Sequence, residues 1–114
     1  MRRSIVAIML FLAVSSLVSV SFVGPVDRAE ASEKKGEALF KEHCTLCHPD
    51  GGNIVNPKKT LQKKDLEANK ILSKDDIVKF MRKPGPGMTS FDARTISDKD
   101  AREIAEYILK TFKK

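Results

Sequence analysis

Two kinds of hydrophobic patterning divide the chain. Over residues 5–23 apolar side chains run almost unbroken, interrupted only by Ser15, Ser16, Ser19 and Ser21, whereas beyond Ala31 they recur at the three-to-four-residue spacing of amphipathic helices. That spacing predicts a helix over 33–43, with Leu39 and Phe40 on its apolar side. Gly36 lies inside it, where glycine costs about 1 kcal/mol relative to alanine, so either a close helix crossing or a frayed first turn is expected there. A short helix is expected over 65–69. Ser73-Lys74-Asp75-Asp76 caps a further one that presents Ile77, Val78, Phe80 and Met81, and Pro84-Gly85-Pro86-Gly87 ends it. Ser97 opens the last helix, with Asp98 and Asp100 at the positive end of its dipole and a stripe of Ala101, Ile104, Ala105, Ile108 and Phe112. The first and last helices are predicted to cross near Gly36. Residues 50–64, rich in Gly, Asn and Pro, should form an irregular loop. No strand alternation is visible on either side of residues 44–48.

The first apolar run has a different meaning. Arg2 and Arg3 precede it and Ala29-Glu30-Ala31 follows it, which is the basic, apolar, small-x-small order of a secretory signal peptide. Residues 1–31 are therefore expected to be removed, leaving 32–114 as one domain exported to the periplasm. The alternative is an uncleaved membrane anchor, since 5–23 approaches the roughly 20 residues of a spanning helix. The mature chain has 83 residues, 18 basic and 13 acidic, hence a charge of +5. Its size calls for a staple beyond an ordinary core. Its charge suits an acidic protein partner, and export argues against nucleic acid.

Both cysteines lie in Cys44-Thr45-Leu46-Cys47-His48, the Cys-x-x-Cys-His signature of covalent c-type haem attachment. Thiols three positions apart reach the two vinyl groups on one porphyrin edge, and the adjacent histidine places its imidazole under the iron as proximal ligand. A redox disulfide or zinc site would use the same cysteines. Zinc wants four ligands, however, and only His43 remains to join the motif; a thioredoxin-like role wants a strand before it. A haem also supplies the staple, with residues 50–64 wrapping it.

The ligand on the opposite side of the iron decides between closed and open chemistry. Met81, Met88, His43 and the lysines are candidates. Met81 follows Ile77 by four residues on one helix face and reads as a core packer. His43 adjoins Cys44, is badly placed to reach the opposite haem face, and is expected to be solvated. Met88 sits in the Pro/Gly loop, where non-helical backbone can deliver its side chain, and is the preferred candidate. An open site, Met81 and His43 stay as alternatives.

These residues resemble the class I c-type cytochromes, most closely the cytochrome c6 (c553-like) group. The likeness runs from Gly36-Glu37-Ala38-Leu39-Phe40 through the haem pentapeptide, residues 51–61, and Met88 with Phe91, to residues 97–107. It implies an all-α, small cytochrome c fold of four to five helices around one haem c, with His48 and Met88 as axial ligands. It also implies a monomeric one-electron carrier between periplasmic or membrane-bound redox partners, without enzyme activity and without stable membrane insertion once processed. Two positions depart from the family pattern: Thr89 follows Met88 where proline is usual, and Phe80 stands where glutamine is frequent. The functional rival is a haem sensor or small peroxidase-like protein with a displaceable sixth ligand. Lys58, Lys59, Lys63 and Lys64 are candidates for a positive surface that steers an acidic partner.

Overall fold

The computed structural model describes residues 25–114, so most of the expected signal peptide lies outside the described residues. Four α-helices follow one another: α1 (Pro25–His43), α2 (Lys63–Ala68), α3 (Lys74–Arg82) and α4 (Asp98–Thr111), with a single 3-10 turn at Pro49–Gly51. No strand occurs among the described residues, in line with the all-α expectation.

α4 is the centre of the molecule. Ser97 caps it by accepting a hydrogen bond from the Asp100 amide at 3.1 Å, and the acidic first turn and Lys110 in the last turn both suit the helix dipole. Its expected stripe is buried over Ala101, Ile104 and Ala105, fully covered, and Ile108, nearly so, whereas Phe112 falls just past the last turn and is only partly buried. Each isoleucine so covered contributes about 1.5–3 kcal/mol of hydrophobic stabilisation. α1 and α3 both pack on this stripe. Phe40 on α1 meets Tyr107 at 5.3 Å and Phe112 at 5.5 Å between ring centres, an aromatic cluster at the C-terminal end of α4.

The α1–α4 crossing falls at Gly36. A β-carbon there would overlap the Glu103 carbonyl oxygen, 3.0 Å from its carbon and 3.1 Å from Tyr107 Cβ. The glycine is thus a close-approach residue, and of the two readings open in the sequence the helix crossing is the correct one. Ion pairs Lys35–Asp100 at 2.6 Å and Lys110–Glu33 at 3.8 Å flank the crossing. Being exposed, they set register more than they add stability.

The described part of α1 already includes Pro25, well ahead of residue 33, and Glu30 pairs with Lys34 one turn on at 2.7 Å. The expected cleavage point, between Ala31 and Ser32, therefore lies within α1. α3 carries the full capping box: Ser73 Oγ accepts from the Asp76 amide, and Asp76 Oδ2 accepts from the Ser73 amide. Hydrogen bonds from the Ser73 side chain and the Leu72 and Ser73 amides hold the Asp76 carboxyl below its usual range. Ile77 and Met81 face the core as expected, but Phe80 does not, remaining 38% exposed. The reason is helical: Ile77 and Met81 are four apart and share a face, and Phe80 is turned about 100° away from Met81.

Candidate functional site

The last turn of α1 runs directly into the pentapeptide. The Cys44 amide donates to the Phe40 carbonyl at 2.8 Å, and the Cys44 carbonyl in turn accepts from the amides of Cys47 at 3.2 Å and His48 at 2.8 Å. All three functional side chains therefore sit on one continuous turn. Cys44 and Cys47 are free thiols, the first partly buried and the second exposed. Burial, with Cys47 close by, pushes the Cys44 thiol up to about 11, so it is protonated at neutral pH. Among the described residues no three His, Cys, Asp or Glu side chains are grouped to hold a metal ion.

His48 is buried. Its Nδ1 lies 2.7 Å from the Gly52 carbonyl oxygen, which can only accept, so Nδ1 carries the proton and Nε2 keeps its lone pair. A carbonyl holding Nδ1 in this way fixes the plane of the ring and is how an iron-binding imidazole is kept oriented. The backbone makes it possible by reversing sharply at Asp50 and Gly51, both with positive φ. Gly51 has a second constraint, since a β-carbon there would overlap the Phe112 ring.

The following loop is irregular, as expected, and is held from within by one side chain. Asn53 Oδ1 accepts from the amides of Val55 and Asn56, and its Nδ2 donates to the Lys59 carbonyl at 2.7 Å. Further on, Thr60 Oγ1 donates to Asp65 at 2.5 Å, fastening the loop to α2 and holding the Asp65 carboxyl low. Leu46, Ile54 and Val55 are left exposed, an apolar surface on the pentapeptide and on the loop after it. Two thiols, an oriented imidazole and adjoining apolar surface are the donor set and the environment that a covalently held haem requires.

Met88 lies in the loop between α3 and α4, partly buried against the core. A β-carbon on its neighbour Gly87 would stand 2.9 Å from Val55 Cγ1, so this loop abuts the one that follows His48. Met81 is buried in the core, as its helical spacing predicts. His43 corrects its expectation: its side chain is only 22% exposed, and its ring packs edge-to-face with Phe91, the ring centres 6.2 Å apart. The return of the Met88 loop lays Phe91 against the end of α1, a long-range contact that local sequence does not encode. Sequence reasoning also missed Asn53 as the internal brace of the loop after His48, and Arg82, whose side chain donates to the Phe91 and Ile96 carbonyls, as a tie on the Met88 loop. An asparagine two and three residues before the amides it binds is a recognisable Asx pattern, so the first had a signal; the second had none.

Residues 31–108, a stretch that contains both the pentapeptide and Met88, match the family model described as cytochrome c oxidase, cbb3-type, subunit III. Cytochrome c6 of Cyanidioschyzon merolae is 38% identical over 79 residues, covering 69% of this chain and 74% of that protein. Cytochrome c6 of Bumilleriopsis filiformis is 35% identical over 79 residues, covering 69% and 91%. Among solved structures, the outer-membrane cytochrome OmcF of Geobacter sulfurreducens superposes with a TM-score of 0.66 at 45% identity, covering 68% of this chain and 98% of that one. With sequence, fold and pentapeptide in agreement, the chain belongs to the class I c-type cytochromes, in the cytochrome c6 group, and its cofactor is one covalently attached haem c.

Proposed function

We propose that the protein is an exported one-electron carrier in which Cys44 and Cys47 hold the haem through thioethers, His48 is the proximal iron ligand and Met88 the distal one. The observation that carries this reading is the His48–Gly52 hydrogen bond, which fixes the imidazole tautomer with Nε2 free to ligate. The haem supplies a reversible Fe(III)/Fe(II) couple. The chain's own part is to hold both axial side chains in place through the change of charge, so that little reorganisation accompanies electron transfer. Exposed Leu46 and Cys47 place the attachment edge at the surface, where a partner can approach.

Export follows from residues 1–31 acting as a cleaved signal peptide, which leaves 32–114 in the periplasm as a monomer. No helix among the described residues is long and apolar enough to cross a membrane. The test is a ferric and a ferrous spectrum of protein exported in a host with haem-attachment machinery. Low-spin spectra in both states and slow or absent CO binding are expected. Colourless protein overturns the reading, and a high-spin ferric state with ready CO binding favours the sensor or peroxidase-like rival.

Lys58, Lys59, Lys63 and Lys64 are all exposed, and of these Lys63 shares its charge with Glu67 at 3.8 Å. They line the end of the loop that follows His48 and the start of α2, and they would steer an acidic partner into a brief, small interface. The rate of electron transfer with a natural partner should therefore fall as ionic strength rises. A flat dependence removes the steering.

A further inference from the structure

We infer that Arg82 is a positioning residue for Met88, acting by clamping the loop that carries it; the inference rests on Met88 being the distal ligand. Residues 83–91 leave α3 and return without regular structure, and the hydrogen bonds that fix them gather at the base of the loop. The Phe91 amide donates to the Met81 carbonyl at 3.0 Å, and Ser90 Oγ donates to the Arg82 carbonyl at 2.8 Å. The Arg82 side chain completes the closure. Its Nη1 donates to the Phe91 carbonyl at 2.8 Å, and its Nη2 donates both to the Ile96 carbonyl at 3.0 Å and to Asp98 Oδ1 at 2.7 Å. One residue thus ties the end of α3, the return of the loop and the start of α4.

The choice of arginine is physical. The guanidinium side chain is only 21% exposed, and its planar fork serves three acceptors that a single ammonium cannot meet in the same geometry. Charge-assisted bonds of this kind are stronger than neutral ones, and partial burial shields those to the Phe91 and Ile96 carbonyls from salt, whereas the Asp98 carboxylate is 78% exposed and its share is screened. The loop needs such an anchor. Pro84 and Pro86 lack amide donors, and Thr89 replaces the stiffer proline usual after the methionine, so rigidity has to come from the base. Phe91, whose carbonyl Arg82 holds, also rests against His43 beside Cys44, so the clamp links the distal loop to the attachment end of α1. Without it the loop opens more often, and the thioether leaves the iron more often.

The experiment uses the exported holoprotein and compares wild type with Arg82→Gln, Arg82→Lys, Asp98→Asn and Met88→Ala. Three quantities are read: the sulfur-to-iron charge-transfer band, the rate of CO association with the reduced protein, and the helical melt by circular dichroism. In Arg82→Gln, CO association is expected to rise about tenfold, and the band should disappear on heating well before the helices melt, with a wider gap than in wild type. Arg82→Lys should restore part of the difference, and Asp98→Asn should show a smaller shift of the same sign. A lower melt in Arg82→Gln with wild-type CO association and an unchanged gap overturns the inference. Should Arg82→Gln fail to fold, wild-type behaviour of Asp98→Asn in both measures overturns it instead. Met88→Ala separates the two layers: a band that persists there sinks the ligand assignment itself, whereas its loss there beside an indifferent Arg82→Gln sinks the clamp alone.

Discussion

Met88→Ala is expected to abolish the sulfur-to-iron charge-transfer band, convert the ferric spectrum from low to high spin, and open the reduced protein to CO. Alanine carries no donor atom for the iron. The accompanying packing loss is small because Met88 is only partly buried; about 1 kcal/mol is a fair figure, less than the 1.5–3 kcal/mol of a fully buried side chain. Any larger fall in melting temperature reports the lost iron–sulfur bond. Met81→Ala should do the reverse. Met81 is 4% exposed, so its truncation should cost about 2–5 kcal/mol while the band survives. Spectra and thermal melts of the two variants side by side check both halves, and a band lost with Met81 but kept without Met88 exchanges their roles.

How far the sequence alone anticipates this arrangement depends on the range of the interactions concerned. Cys44, Cys47 and His48 stand out in the sequence because the proposed attachment to a rigid porphyrin dictates such a spacing. The caps at Ser73 and Ser97 are legible because capping is settled within three residues. The stripe on α4 follows from helical period, and it is buried as expected from Ala101 to Ile108. What escaped is non-local. Arg82 reaches nine residues to Phe91 and sixteen to Asp98, and nothing in the composition separates it from the other surface cations. His43 is a polar residue beside a motif until the chain returns Phe91 to cover it. Ile96, fully buried just ahead of α4, lies in no periodic segment, and Phe80 shows the limit of apolar content as a guide when a neighbour already occupies the inward face.

Gly36→Ala tests the frame on which the site is built, and two effects of opposite sign compete there. Alanine in a helix gains about 1 kcal/mol over glycine from backbone entropy. Against this, the added methyl would overlap the Glu103 carbonyl and press on Tyr107 Cβ at 3.1 Å. Overpacking ordinarily costs about 1–3 kcal/mol, and the obstacle here is the backbone of α4, which cannot rotate aside as a side chain can. The clash should therefore win, with a net loss of about 2 kcal/mol and a melting temperature lower by about 10 °C for a domain of this size. Because α1 ends at His43, next to Cys44, and packs on α4 through Phe40, separating the two helices also shifts the proposed attachment turn relative to the core. A less efficient yield of coloured protein should accompany the lower melt. A Gly36→Ala variant that melts at or above the wild-type temperature would show that α1 and α4 do not approach this closely, and the position of the pentapeptide relative to α4 would have to be redrawn.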